Sequence, residues 1–275
     1  MTVIFYYSGT GNSLYVAREF QKRDPSVELR PMLREPTGNP VETEADVVGL
    51  VFPIYLTNIP RPVRSFLHTL RTPNARYTFF VATRIGTFTV APAVVRKLLR
   101  KNGGTLDAFF YLNMASNTPT GVAPGKGDRK WVEKTHGSAF NEIKERVTGR
   151  IEEIWNAIEN ENRAGNEPWR IVGRNILWAI FNPMTRDVRT DVGYYVDDTC
   201  TSCGICERVC LSGKIRLVGG KPEWLDEVRC FLCFACFNFC PEQSILVAKK
   251  YELKDGRYHH PQVTLADIVS QKPST

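Results

Sequence analysis

An unbroken apolar run, Val3–Tyr7, opens the chain and gives way at once to the polar, glycine-bearing stretch Ser8-Gly9-Thr10-Gly11-Asn12-Ser13. Leu14, Val16, Ala17 and Phe20 then recur with the spacing of one helix face. The same alternation continues. Asp46–Phe52 reads as a buried strand running into Pro53-Ile54-Tyr55, and a helix follows with Pro62 near its start and Val63, Phe66, Leu67 and Leu70 on one side. Tyr77–Thr83 is another strand, followed by the loop Arg84 to Phe88 and a helix from Pro92 through Leu99. Leu106–Met114 is the fifth strand, and Ile143, Val147, Ile151, Ile154 and Ile158 form the apolar stripe of a long closing helix. The Pro- and Glu-rich stretch Leu33–Ala45, between the second and third strands, predicts no helix. Strands alternating with helices predict an α/β fold with a parallel sheet, with ligands at the carboxyl ends of the strands.

The pattern changes after about residue 165. Residues 166–192 carry Trp169, Ile171, Ile176, Leu177, Trp178, Ile180 and Phe181 among Arg170, Arg174, Arg186 and Arg189. A basic amphipathic helix of this kind lies on a membrane surface or docks one domain on another. Its place between two domains favours docking. The most apolar window, Ile171 to Phe181, is interrupted by Arg174 and Asn175, so no transmembrane segment is predicted. Residues 193–250 form a short second domain and residues 251–275 a polar extension, after a first domain spanning residues 1–165.

Composition adds little to this picture. The chain is 43% hydrophobic and 24% charged, ordinary for a globular protein of about two domains. Its formal charge of +7 is concentrated in the N-terminal half, around Arg96, Lys97, Arg100 and Lys101. No aromatic-interleaved basic stretch accompanies it, so nucleic acid is not an expected partner. A solvated helix face or a docking patch for an acidic redox partner accounts for it better. His136, His259 and His260 read as solvated or structural.

The cysteines change the picture most. All eight lie between Cys200 and Cys240, as Cys200, Cys203, Cys206, Cys210 and again as Cys230, Cys233, Cys236, Cys240. Each run has the spacing C-x2-C-x2-C-x3-C, by which thiolates hold cubane iron–sulfur clusters, and the second ends in Pro241. Disulfides suit small secreted domains, structural zinc favours well-separated C-x2-C pairs, and reduced core cysteines would not repeat their spacing. Cysteines committed to clusters imply a reducing interior, with the cytoplasm as the expected location. The region resembles the two-cluster ferredoxins. That resemblance implies a small α+β domain in which the fourth cysteine of each run serves the other cluster. Cys200, Cys203, Cys206 and Cys240 would then hold one [4Fe–4S] cluster and Cys230, Cys233, Cys236 and Cys210 the second. One departure is Leu211, which stands after Cys210 where the family has proline.

The Ser8–Ser13 stretch, between a strand and a helix start, has the makings of an anion site. The dinucleotide fingerprint fails because Leu14 occupies its third glycine position, and the hydroxyls of Ser8, Thr10 and Ser13 suit a terminal monophosphate instead. This loop resembles the phosphate loop of flavodoxins, which implies a doubly wound five-stranded parallel sheet of order 2-1-3-4-5 and bound FMN. On that resemblance Ser8, Gly9, Thr10, Gly11, Asn12 and Ser13 would contact the phosphate. Pro53, Ile54, Tyr55, Thr83, Gly86 and Phe88 would flank the flavin ring, and Asn117 would approach its edge. The whole chain resembles the flavodoxin–ferredoxin fusions known as EFR-type ferredoxins. The family implies an electron-transfer protein that relays electrons between two clusters, FMN and a redox partner. The negative cofactors would bring the holoprotein toward neutrality. A flavin-dependent reductase of a small molecule or quinone, fed through the clusters, is the alternative. A non-redox zinc scaffold is a third reading from another class. Carrier and enzyme remain open at this point.

Overall fold

The computed structural model describes residues 1–36, 38–55, 57–85, 89–118, 129–163, 192–248, 251, 252, 254 and 257–273. Its larger half is a five-stranded parallel sheet built from β1 (Thr2–Tyr6), β2 (Glu28–Pro31), β4 (Val47–Pro53), β6 (Tyr77–Arg84) and β7 (Ala108–Asn113), in the order β2-β1-β4-β6-β7. Two-residue strands β3 (Val41–Glu42) and β5 (Leu70–Arg71) pair with each other outside it. The central strands are near-continuous apolar runs because helices cover both of their faces: Val3, Ile4 and Phe5 in β1, and Val48, Leu50, Val51 and Phe52 in β4, are fully buried.

Strand alternation sorts these side chains into two layers. On one face Phe79 meets Phe20 of α1 (Asn12–Arg23), which stacks at 5.5 Å on Trp155 of α5 (Ser138–Glu159). Gly49 sits beneath them because a Cβ there would come within 2.5 Å of the Phe79 ring. On the other face Phe5 packs at 4.9 Å against Phe66 of α2 (Arg61–Thr69), and Phe52 stacks on Phe80 at 4.4 Å. Asn102, just beyond α3 (Ala91–Lys101), donates its side-chain amide to the carbonyls of Leu67, His68 and Leu70 and so ties α3 to the end of α2. A short helix, α4 (Arg129–His136), precedes α5. The stretch predicted to lack a helix, Leu33–Ala45, holds only the end of a 3-10 turn (Met32–Arg34) and β3 among its described residues.

The second half is a small α+β unit. β8 (Tyr194–Val196) pairs antiparallel with β11 (Ile245–Val247), and β9 (Ile215–Val218) with β10 (Lys221–Trp224). Gly219 and Gly220, with φ of 56° and 80°, supply the two left-handed residues that a tight hairpin turn requires. Helices α6 (Ile205–Val209) and α7 (Ala235–Phe239) carry the third cysteine of each run, and α8 (Leu265–Val269) closes the chain.

Two expectations change here. The amphipathic helix expected within 166–192 lies outside the described residues, Val192 excepted. The segment expected as a polar extension is instead packed into the protein: Val263, Ile268 and Gln271 are at most 1% exposed and Tyr258 is 3% exposed. Its helix begins at a capping box in which Thr264 Oγ1 accepts from the Asp267 N–H while Asp267 accepts from the Thr264 N–H. The two halves also share one core. Val209, Leu211, Cys233, Ala235, Phe239, Val263 and Ile268 belong to the same buried cluster as the sheet.

Candidate metal centre

The two cysteine runs, thirty residues apart, fold in the same way because their backbones kink at matching positions. Ser202 and Leu232 are left-handed (φ 59° and 58°) just before the second cysteine of each run. Gly204 and Phe234 (73° and 57°) start the short helices, and Gly213 and Gln243 (70° and 52°) follow the fourth cysteines. A left-handed non-glycine residue costs roughly 1–2 kcal/mol, so the second run holds this path against strain at Leu232, Phe234 and Gln243. Leu211 leaves the turn unaltered. Cys210 (φ −71°, ψ 97°) and Cys240 (φ −69°, ψ 115°) have nearly the same backbone, and Leu211 is buried in the core shared with the sheet. A leucine there packs where a proline ring would reach less far.

Cys200, Cys203 and Cys206 of the first run and Cys240 of the second line a single small cavity that opens to solvent. Ile205, Leu217, Pro222 and Ile245 supply its apolar walls. Burial pushes the Cys206 thiol up to about 11, and the neighbouring Cys240 and Cys203 push in the same direction.

The other four cysteines form a second group. Burial pushes Cys233 up to about 12, with Cys230 and Cys210 adding to it. Cys236 is driven well above the usual thiol range by burial and then by Cys233, Cys210 and Cys230. Cys236 also feels Cys206, so the two groups adjoin. Thiolates buried this way need a compensating cation, and a metal supplies one. Among the described residues, no three His, Cys, Asp or Glu side chains converge closely enough to hold one ion. The first group instead surrounds a volume.

The groups around these sulfurs are polar donors set in apolar surroundings. The Leu232 N–H donates to Cys230 Sγ at 3.3 Å and the Ser244 N–H to Cys240 Sγ at 3.2 Å. Lys214, 8% exposed, donates to the carbonyls of Leu225 and Val228 at 2.7 and 2.9 Å, and its charge favours the thiolate of Cys230. Two tyrosine hydroxyls are buried beside the sulfurs: Tyr194 has no hydrogen-bond partner among the described residues, whereas Tyr7 faces the Tyr55 hydroxyl. Tyr7 borders Cys233 and Cys230, while Tyr194 borders all four cysteines of the second group. Burial raises both phenols well above their usual range. An orphaned buried hydroxyl requires an explanation, and at Tyr194 the adjoining chemistry is sulfur.

The glycine loop lies beside this second group and is already filled. Ser8, Thr10 and Ser13 are at most 4% exposed. A Cβ on Gly9 would stand 2.6 Å from Cys233 Cβ and 2.7 Å from the Tyr55 hydroxyl. The Ser8 N–H donates to Gln271 Oε1 while Gln271 Nε2 donates to the Ser8 carbonyl, both at 2.9 Å. Thr10 O accepts from the His260 N–H at 2.8 Å. Asn12 Nδ2 donates to Ala115 O, and Asn12 Oδ1 accepts from the Tyr258 hydroxyl. The Ser13 and Thr83 hydroxyls bond to each other at 2.8 Å. Pro53 and Ile54 serve the sheet: Pro53 is in register with Thr83, and the Ile54 N–H donates to Thr83 O. Tyr55 is half-buried, with its ring edge-on to Tyr7 at 6.4 Å. Gly86 and Phe88 lie outside the described residues. The Ser8 and Gly11 N–H groups, the Asn12 side chain and the Ser13 hydroxyl are thus spent on the chain's own atoms, and the chain packs against Gly9 and Gly11 where a flavin phosphate would have to approach, so the described arrangement does not fit the flavin.

Several residues of the centre carried no sequence signal that singled them out. Asn117, placed by resemblance at a flavin edge, donates instead to Cys233 O at 3.0 Å. Asn238 donates to Asn117 O at 2.8 Å and accepts from the Tyr258 N–H at 2.9 Å, which links the second cysteine group to the C-terminal segment. His260 is structural, stacked at 4.0 Å on Tyr15. The T-x-x-D pattern at Thr264–Asp267 was the available sign that the segment is ordered.

Among the described residues no helix is long and apolar enough to cross a membrane. Comparison of the chain with curated proteins gives no match. Comparison with protein families matches residues 199–245 to the 4Fe-4S dicluster domain, which makes this part of the chain a ferredoxin-type module and supports iron–sulfur clusters with an electron-transfer role.

Proposed function

We propose that the chain is a two-cluster iron–sulfur electron carrier in which Cys200, Cys203, Cys206 and Cys240 hold one [4Fe–4S] cluster and Cys210, Cys230, Cys233 and Cys236 the other. The observation that carries this reading is the cavity lined by three cysteines of the first run and the last of the second. A cubane takes its thiolates from around a pocket of this kind, and the twice-repeated C-x2-C-x2-C-x3-C spacing supports iron over a zinc scaffold. When bound, such clusters supply one-electron exchange.

The chain's residues divide the remaining work. Apolar side chains of α6, α7, β9 and β11 exclude water from the sulfurs, which moves the potential with local dielectric. Backbone N–H groups at Leu232 and Ser244 stabilise sulfur charge, as does the ammonium of Lys214. Tyr194 holds its hydroxyl proton beside the second group, ready to donate to sulfur, while the Tyr7 hydroxyl is directed to Tyr55. Cys203 is exposed, so the first group faces the surface and a partner. Exposed Lys97, Arg100 and Lys101 on α3 suit a partner with an acidic surface. A reducing compartment such as the cytoplasm suits eight free cysteines.

With β3 and β5 set aside, the sheet order reads 2-1-3-4-5 in chain order, which supports a flavodoxin-like scaffold for the larger half. Metal analysis tests the reading: anaerobically purified protein should contain about eight iron atoms per chain, with broad visible absorption that dithionite bleaches. Stoichiometric zinc in place of iron would overturn it.

A further inference from the structure

We propose that the Ser8–Ser13 loop is an internal docking socket rather than a flavin phosphate site, and that its occupants are the chain's own 258–271 segment and the backbone at Cys233. An anion-binding loop presents uncommitted N–H groups and hydroxyls at a helix start. Here the Ser8 and Gly11 N–H groups, the Asn12 side chain and the Ser13 hydroxyl have internal partners, and the chain packs directly onto both glycines. Gln271 satisfies both backbone groups of Ser8 in the manner of a strand partner, and it is itself fully buried. The Gly11 N–H donates to Ser8 Oγ at 3.1 Å.

The glycines that give the loop its phosphate-binding look have a different cause. Gly9 allows the Cys233 backbone to approach, since a Cβ would lie 2.9 Å from Cys233 O. Gly11 takes φ 100°, and a Cβ there would lie 2.8 Å from Val263 Cβ and 2.9 Å from His260 Cβ. Close approach of protein to protein therefore demands both glycines, with no ligand required. Arg18, about two turns further along α1, grips Asp267 with both terminal guanidinium nitrogens and clamps the segment from outside. The socket thus fixes the second cysteine group against the carboxyl end of the sheet, where an α/β fold would otherwise hold a ligand.

The wild-type holoprotein provides the first test. Flavin released on denaturation is measured beside iron on the same anaerobic sample, and the protein is then titrated with FMN while flavin fluorescence is followed. The expected result is flavin far below one per chain and no saturable quenching. Flavin equal to the chain concentration, or tight FMN binding, would overturn the socket. Iron content reads the proposed carrier function separately. A second test uses Gln271→Ala combined with Tyr258→Phe. Amide hydrogen exchange across 258–271 should rise several-fold, about the effect of losing a kcal/mol of local protection, while FMN binding stays absent. If the loosened variant gains FMN binding, the segment is a displaceable lid and the proposal fails. If exchange does not change, Gln271 and Tyr258 do not dock the segment, and it fails in the other direction.

Discussion

Phe234 stands thirty residues after Gly204 and takes up the same left-handed backbone, φ 57° against 73°, at the start of the second short helix. A bulky side chain in that region is strained. Three aromatic neighbours offset the strain: the ring meets Tyr194 and Phe237 edge-on at 5.8 Å each and Tyr251 at 6.0 Å.

Phe234→Gly would relieve roughly 1–2 kcal/mol of backbone strain. It would also remove three ring contacts of about 0.5–1.5 kcal/mol each, together with the area they bury. The holoprotein should therefore melt at a lower temperature, followed by loss of visible absorption. A rise in melting temperature would show that the strain outweighs the packing.

Tyr194→Phe removes a buried hydroxyl that, among the described residues, has no hydrogen-bond partner and borders the second cysteine group. If that hydroxyl donates to sulfur, its loss disfavours the more negative, reduced state and lowers one potential. Redox titration followed by electron paramagnetic resonance should show one of two signals shifted downward, with iron content unchanged. Equal shifts in both signals, or none, would remove Tyr194 from this role.

Cys206→Ala should cut iron from about eight atoms per chain to about four or fewer. A drop below four would reflect the crossed ligand sets, because Cys210 sits in the second group while its run supplies the first. Retention of full iron content would contradict the assignment.

Acid should loosen the C-terminal segment in two stages. Burial pushes the His260 imidazole down from 6.5 to about 4, with His259 acting in the same direction and Glu19 against it. The undocked histidine therefore takes up its proton first, and docking weakens as pH falls from 6.5 toward 4. Asp267 is held at about 2, first by the Arg18 hydrogen bond and then by the Thr264 N–H and hydroxyl. Its contribution is complete above its ordinary 3.8 and is lost as pH falls toward 2. Hydrogen exchange across 258–271, corrected for intrinsic rates, should accelerate between pH 7 and pH 5. His260→Phe, which keeps a ring on Tyr15, should flatten that change.

The sheet was legible because its signal is local. Val3–Tyr7, Asp46–Phe52 and Tyr77–Thr83 are apolar runs whose neighbours in space are other such runs, and the observed strands match them within a residue or two. The cysteine spacing was legible for the same reason, since short-range geometry sets it. Ser8–Ser13 misled because glycine records only that something comes close. Whether that something is a phosphate or Val263, more than 250 residues later, is a non-local fact. Gln271, Tyr258 and Asn238 act through isolated side-chain hydrogen bonds to residues distant in sequence, which leave no periodicity to read.

The core common to both halves gives iron supply a reach beyond electron transfer. Val209, Leu211, Ala235 and Phe239 are held in place by loops that the cysteines organise, yet they pack into the same cluster as the sheet. A chain made during iron scarcity would lack the metal that draws those loops together, and would leave part of the sheet's covering unfastened. Exposed apolar surface of that kind is what cellular proteolysis acts on. The abundance of the whole chain, and not only its redox competence, would then follow the iron status of the cell.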